Sequence, residues 1–283
     1  MLDVSPSIYS LIALFVLAGV QLAALFSKGR LEAPSALRSL WIFFSAIALA
    51  DWFSFCGAMW LLAFVSFCAL REYLSLVDIR LEDRWGILAS YLSIPFMFYL
   101  IQIEWYGFFI IAIPVYVFLL MPFFVALGGR SQGIVFSVGA LNFGLFFYVS
   151  CIGHLAYLLF YSARMTLLMV VAVAIADGVY TSGKFKSLAL RTLVRMAILC
   201  PLYVSLARWT AIPLVHSAML GILIPVSVCL GRFTLHAVEQ DLGIRADRLQ
   251  PGRGRTIDGL KSYLFTAPIV FHYLRWFLKW GDL

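Results

Sequence analysis

The chain has 283 residues, of which 63% are hydrophobic and only 12% are charged. Soluble domains carry about 25% charged residues, so this composition excludes an ordinary soluble domain and requires that much of the surface faces lipid. The net charge is +7, but the basic residues lie in short clusters without interleaved aromatic residues, which argues against nucleic acid as a partner.

The apolar runs predict an all-α polytopic integral membrane protein with about nine to ten transmembrane helices. They are roughly 17–25 residues long and do not alternate with polar residues, which favours helices over a β-barrel. The segment 39–70 is either two helices or one element bent around Asp51, and 133–160 is long enough to require tilting or protrusion. The predicted spans are 8–26, 39–50, 52–70, 86–102, 105–128, 133–160, 165–183, 189–207 and 210–231, with a last amphipathic or spanning helix at 264–280.

The distribution of Lys and Arg predicts the orientation. Basic clusters follow the first, third, seventh and ninth spans, so with nine spans they all fall on one side, which the positive-inside rule makes cytoplasmic. We therefore expect the loops 184–195 and 232–261 in the cytoplasm and the N-terminus outside. We divide the chain into an N-terminal transmembrane region, 1–130, and a C-terminal region, 131–283, that carries a site on the cytosolic face.

One candidate for chemistry is Asp177, in the segment AIADGVYTSGK near the end of an apolar helix. A carboxylate at that depth is costly and marks a functional site by default. The alternative is a structural aspartate at the membrane edge, solvated or paired with Lys184. Tyr180 and Lys184 follow closely, so the segment offers a carboxylate and a cation together.

The second candidate is the polar segment 239–262, the longest between apolar runs. Its glycines and arginines suit phosphate, since turn amides and guanidinium groups both bind anions. Its aspartates suit Mg²⁺, which prefers carboxylate oxygen. The alternative is a solvated cytoplasmic loop that contacts anionic lipid headgroups. The candidate phosphate ligands are the turn amides at Gly252 and Gly254 and the side chains of Arg245, Arg248, Arg253 and Arg255, and the candidate metal ligands are Asp241, Asp247 and Asp258.

This second segment resembles the C-terminal signature of the CDP-diacylglycerol synthases, also called phosphatidate cytidylyltransferases. The family pattern is similar to KRDxGIKD, then PGHGGxxDRxDS, then APVFFHYxRYF. The matching positions are Asp241, Gly243, Ile244, Pro251, Gly252, Gly254, Asp258, Ser262, Ala267, Pro268, Phe271, His272, Tyr273, Arg275 and Phe277. Upstream, the run from Asp177 through Tyr180 to Lys184 resembles another family motif.

The resemblance implies a polytopic fold and a reaction that joins CTP and phosphatidate to give CDP-diacylglycerol and pyrophosphate. If the protein is active, it implies Mg²⁺ as cofactor, with Asp177, Lys184, Asp241, Arg245 and Asp258 as catalytic residues. Asp247 would join the three aspartates as a metal ligand. Implied substrate-binding residues are Tyr180, Gly252, Arg253, Gly254, Arg255 and Ser262.

The signature also departs from the family pattern in charge. Arg232 stands where the family has the aspartate of a Gly-Asp pair, Ala246 replaces an aspartate unless Asp247 has shifted, and Lys261 replaces another. Carboxylates hold metal ions and arginines do not. We therefore expect activity that is much reduced or lost.

Three hypotheses follow. The first is a phosphatidate cytidylyltransferase-like protein of phospholipid biosynthesis, and the second is a non-catalytic relative that binds anionic lipid or acts as a scaffold. The third, a transporter, would need polar groups or broken helices near the bilayer midplane. The candidates there are Asp51, Pro114, Asn142 and His154. We expect the protein to lie in a bacterial inner membrane and to bind phosphatidate or another anionic lipid. If it is active, it should also bind CTP. A homodimer is possible.

Overall fold

The structure, a computed structural model, describes residues 7–28, 35–129, 132–181, 187–243 and 254–278. The elements in these ranges are helices, so the predicted all-α class is confirmed. The α-helices are α1 (Ile8–Lys28), α2 (Ser35–Trp52), α3 (Phe55–Leu74), α4 (Arg84–Gln102), α5 (Tyr106–Ile111), α6 (Phe118–Ala126), α7 (Ile134–Leu145), α8 (Ile152–Tyr161), α9 (Ala163–Thr181), α10 (Leu188–Ser205), α11 (Ala207–Thr210), α12 (Leu214–Asp241) and α13 (Arg255–Leu278). A 3₁₀ turn covers Leu81–Asp83, and π-helical segments cover Ala112–Val117 and Phe146–Cys151.

Among the described residues, six helices are long and apolar enough to cross a membrane. Ile8–Leu22 is a shorter apolar helix. This agrees with a polytopic membrane protein, and of the predicted nine to ten spans it supports six by length and composition. The six are Phe55–Leu74, Arg84–Gln102, Tyr106–Ala126, Ile134–Tyr161, Leu188–Ser205 and Leu214–Asp241.

The segment 39–70 forms two helices that break at residues 53–54. Ser54 begins α3, since its Oγ accepts a hydrogen bond from the amide of Gly57 at 3.3 Å, as an N-cap serine does. Asp51 accepts hydrogen bonds from Ser10 Oγ at 2.7 Å and Tyr9 Oη at 3.1 Å. Its carboxylate therefore accepts hydrogen bonds from side chains in the first turn of α1, and this role explains why a charged residue lies in an apolar stretch.

Two predicted boundaries were wrong by about ten residues, and both errors concern the polar segment. α12 continues past residue 231 to Asp241, and α13 starts at Arg255 instead of near residue 264. Polar side chains at 232–241 and 255–263 can stay helical because helix hydrogen bonds do not depend on apolar side chains. Asp241, Asp258 and Ser262 are therefore on helices, not in a loop.

The chain folds into two compact units that each combine separate stretches of sequence. The first unit contains 1–58, 158–233 and 259–283, and the second contains 59–157 and 234–258. The sequence-based division into 1–130 and 131–283 stays a prediction.

In the first unit, α2 packs against α1 and α9, and α9 also packs against α10. The ring of Phe43 on α2 lies 4.5 Å from that of Tyr263 on α13, centroid to centroid. Both side chains are fully buried. The core of this unit is therefore built around α9, the helix that carries Asp177.

In the second unit, α4 packs against α5, α6 and α7. Pro114 lies inside the π-helical segment between α5 and α6. His154 on α8 contacts the carbonyl oxygen of Ser150 through Nδ1 at 2.7 Å, and its ring packs against Phe109 at 4.9 Å. His154 and Phe109 are both buried in this packing, which is a structural role for the histidine.

Candidate functional site

Asp177 lies in the last part of α9 and is buried, with only 4% of its surface exposed. Its Oδ1 atom accepts two hydrogen bonds of 2.7 Å, one from Nη1 of Arg232 and one from Oγ of Ser262. Arg232 is on α12 and Ser262 is on α13. α9 and the two later helices α12 and α13 thus bring one polar side chain each to a single point.

Gly231 allows α12 and α13 to approach closely at this point. A Cβ atom on Gly231 would lie 2.7 Å from Cβ of Phe265 and 3.3 Å from the carbonyl oxygen of Lys261. The first distance is shorter than carbon atoms tolerate, so no side chain fits between the helices here. Glycine at 231 therefore places Arg232 deep enough to reach Asp177.

The pair of Asp177 and Arg232 is largely shielded from solvent, with side-chain exposures of 5% and 15%. A shielded carboxylate needs a counter-charge and hydrogen-bond donors, and here the guanidinium and the Ser262 hydroxyl supply both. A metal ion would therefore have to compete with Arg232 and Ser262 for the Asp177 carboxylate.

A second buried carboxylate, Glu72, lies at the C-terminal end of α3 and is 5% exposed. Its Oε1 accepts hydrogen bonds from the backbone amides of Thr256 at 2.9 Å and Ile257 at 3.5 Å, and its Oε2 accepts one from Oγ1 of Thr256 at 2.6 Å. These amides are in the first turn of α13, where they have no partner inside the helix and the helix dipole favours a negative charge. Glu72 therefore caps the helix that carries Asp258 and Ser262.

The remaining predicted site residues fall into two groups. Asp241 is exposed at the end of α12, Asp258 and Arg255 are partly exposed in the first turn of α13, and Gly254 precedes that helix with φ of 87°. A left-handed φ suits glycine, which lacks a Cβ. The others lie outside the described residues or, for Tyr180, have a side chain outside them: Tyr180, Lys184, Arg245, Asp247, Gly252 and Arg253.

The described residues do not fit a magnesium ion at Asp177. No group of three or more His, Cys, Asp or Glu in the described ranges could hold a metal ion. At Asp177 the positive charge that a metal would supply comes from the Arg232 guanidinium instead. Magnesium binding that involves Asp247 stays a prediction.

Sequence reasoning missed Arg232 and Glu72, one in each unit, as residues that hold buried polar contacts. Arg232 was recognised only as a departure from the family pattern, although its position next to Gly231 pointed to the site. Glu72 follows Arg71 at the end of an apolar run, where a charged pair is usually solvated. Nothing in the sequence shows that its partner would be the start of α13, more than 180 residues later.

Two curated proteins are similar to this chain. One, from Escherichia coli K12, is called the uncharacterized protein YnbB and is 26% identical over 242 residues, covering 76% of this chain and 78% of its own. The other is the phosphatidate cytidylyltransferase of a Synechocystis species, 36% identical over 61 residues, or 21% of each chain. No protein-family model and no solved structure gives a significant match. The chain is thus a helical membrane protein with a short region similar to a phosphatidate cytidylyltransferase.

Proposed function

We propose that this protein is a phosphatidate cytidylyltransferase-like membrane protein of phospholipid biosynthesis. It would join CTP and phosphatidate to CDP-diacylglycerol and pyrophosphate, with a turnover much lower than that of an enzyme whose signature is intact. A phosphate oxygen of phosphatidate would attack the α-phosphorus of CTP, and the bond from that phosphorus to the pyrophosphate leaving group would break.

The observation that carries the proposal is the convergence of Asp177, Arg232 and Ser262. Each of the three corresponds to a different part of the family signature, and the parts are 55 or more residues from Asp177 along the chain. Unrelated sequence resemblances would have no reason to meet at one buried point. The short similarity to the Synechocystis enzyme supports the same assignment.

The chemistry that these residues supply is limited by charge. Both substrates and the leaving group are anionic, so Arg255 and the predicted basic residues around it suit phosphate binding. Phosphoryl transfer also needs positive charge next to the transferred group to offset its negative charge, and metal ions usually supply it. Because Asp177 pairs with Arg232, this carboxylate is less suited to hold a metal ion for phosphoryl transfer, and the site is better suited to bind anions.

The decisive test is incorporation of labelled CTP into lipid by the purified protein with phosphatidate and Mg²⁺. We expect slow synthesis of CDP-diacylglycerol that Asp258→Asn abolishes, whereas Asp78→Asn, a change outside the signature, leaves the rate unchanged. Turnover equal to that of an intact-signature enzyme would contradict the expected low rate. Synthesis that survives Asp258→Asn would contradict the assigned site.

The ion pair between Arg232 and Asp177 favours a second candidate, a non-catalytic protein that binds anionic lipid. In this case the protein would bind phosphatidate vesicles more tightly than phosphatidylcholine vesicles and show no CTP incorporation. The preference should decrease with salt, because it rests on exposed charges. Equal binding to the two lipids would rule this candidate out.

Restoring the missing carboxylates tests whether a metal site has been lost. The triple change Arg232→Asp, Ala246→Asp and Lys261→Asp removes two cations and adds three carboxylates. The resulting repulsion with Asp177 should make thermal stability depend on Mg²⁺, a readout independent of turnover. Wild-type protein should show no such dependence, and a triple variant insensitive to Mg²⁺ would contradict the lost metal site.

A further inference from the structure

The second unit contains an apolar cleft with a volume of about 570 Å³ between α4 and the helices that cover 106–126. It is open at the side, and its lining is almost entirely apolar. On the α4 side it runs from Trp85 to Phe96, and on the other side from Phe124 to Phe108. The two walls belong to candidate membrane spans, so the cleft opens toward lipid.

The dimensions of the cleft match one acyl chain. Trp85, Leu88, Leu92 and Phe96 recur at helical spacing and form one stripe along α4. The eleven steps from Trp85 to Phe96, at 1.5 Å each, give a length of about 16 Å. This is close to half of the hydrocarbon core, about 30 Å, and therefore to the depth of one leaflet.

An exposed arginine, Arg84, directly precedes Trp85 at one end of the cleft. The guanidinium carbon of Arg84 lies 5.8 Å from the ring centroid of Trp85, and both side chains are exposed. Arg84 makes no ion pair with another residue among those the structure describes, whereas the neighbouring Arg80 is paired with Asp83. A tryptophan next to an arginine at the start of a span is typical of the lipid headgroup region.

We propose that this cleft binds one acyl chain of an anionic glycerophospholipid whose phosphate contacts Arg84. The open and apolar cleft, about as long as one leaflet is deep, suits a single flexible chain, and the arginine at one end suits a phosphate. The proposal does not depend on the proposed cytidylyltransferase activity, since the residues involved are not those of the signature.

Fluorescence quenching by brominated lipids tests the proposal on the intact protein. The protein is reconstituted in phosphatidylcholine vesicles that contain increasing fractions of phosphatidylglycerol, with bromine on the acyl chains of one lipid at a time. The chain has eight tryptophans, so the signal of Trp85 is obtained by subtracting that of a Trp85→Phe variant. We expect Trp85 to be quenched by phosphatidylglycerol with a relative affinity about fivefold above that for phosphatidylcholine, corresponding to about 1 kcal/mol for one arginine.

Two matched pairs of variants separate the headgroup from the chain. Arg84→Gln should bring the relative affinity close to one, whereas Arg208→Gln, the same change at an exposed arginine of the other unit, should leave it unchanged. Ala89→Phe fills the cleft and should reduce quenching of Trp85 by either lipid. Ala126→Phe, at an exposed position outside the cleft lining, should not.

Three outcomes would overturn the proposal. Equal quenching by both lipids that Arg84→Gln does not alter would mean only non-selective lipid contact. Equal effects of Ala89→Phe and Ala126→Phe would mean that the chain does not enter the cleft. No quenching of Trp85 in the wild-type protein would mean that another protein surface, such as a second copy, covers it.

Discussion

At the scale of single residues, three carboxylates within or at the ends of apolar runs have dedicated hydrogen-bond donors. Asp177 receives a guanidinium and a hydroxyl, Glu72 receives the amides and hydroxyl of a helix start, and Asp51 receives the hydroxyls of the first turn of α1. Isolated charges in an apolar interior would cost several kcal/mol each. A charged residue in an apolar run of this sequence therefore indicates a specific partner.

Removing Arg232 should be more damaging than removing Ser262. Arg232→Gln removes the guanidinium that pairs with the buried Asp177 carboxylate, and breaking a buried ion pair in this way costs about 3–5 kcal/mol. Ser262→Ala removes one hydrogen bond to a charged group and costs about 1.5–3 kcal/mol. Thermal unfolding of the purified variants measures both, with Arg208→Gln as an exposed control.

A double substitution tests whether the loss of stability in Arg232→Gln arises from breaking the ion pair with Asp177. Asp177→Asn together with Arg232→Gln removes both charges, so it should be less destabilising than the sum of the two single changes. Additive effects would contradict a direct interaction between the two side chains.

At the scale of elements, the start of α13 depends on a residue from another helix. The helix follows Gly254, and its first-turn amides are satisfied by Glu72 instead of by a residue just before them. Hydrogen bonds from Glu72 thereby connect the first turn of α13 to α3 inside the second unit.

Loss of Glu72 should therefore loosen the first turn of α13. Glu72→Ala leaves the amides of Thr256 and Ile257 without their acceptor, and hydrogen exchange at these two positions should become faster. Glu72→Gln keeps one carboxamide oxygen and should have a smaller effect. Thr256→Val removes only the hydroxyl bond and should leave the Thr256 amide protected; unchanged exchange in Glu72→Ala would refute the capping role.

Close helix packing gives a second prediction at this scale. Gly231→Ala forces Cβ against Phe265 and should destabilise the protein by about 1–3 kcal/mol, since the helices must separate. Gly139→Ala is the matched control, because a Cβ there meets no atom within 4 Å. It should be neutral or stabilising, as alanine favours helix over glycine. Equal effects of the two changes in chemical denaturation would contradict the packing argument.

At the scale of the whole molecule, charge distribution predicts how the chain crosses the membrane. The basic segments 184–195 and 232–261 are expected on the same, cytoplasmic side, because short loops rich in Lys and Arg are retained there. Their placement decides whether the parts of the signature can share one aqueous surface.

Cysteine labelling tests this arrangement directly. Lys186→Cys and Arg253→Cys, each in a variant without the five native cysteines, should react with an impermeant reagent from the same side of sealed vesicles. Arg208→Cys belongs to a loop predicted on the opposite side and should react only from there. Labelling of positions 186 and 253 from opposite faces would rule out the predicted topology.

The amino-acid sequence was enough to establish the class of this protein, because the excess of apolar residues leaves no soluble alternative and the long apolar runs favour helices over a β-barrel. It also located most helices, since these follow from local hydrophobicity along the chain. The end of α12 and the start of α13 were misplaced because hydrophobicity marks where a helix meets lipid, while polar residues such as Arg232 and Ser262 continue these helices through contacts with other helices.

The interactions of the charged residues, in contrast, follow from how the helices pack. Asp177, Arg232 and Ser262 are brought together by the packing of α9, α12 and α13, and the capping of α13 by Glu72 joins residues 184 positions apart. The sequence showed that Arg232 stands where the family has an aspartate. It did not show that the Arg232 guanidinium would donate a hydrogen bond to Asp177, one of the remaining carboxylates. Such pairings depend on distances between helices, and no local pattern of residues encodes these distances.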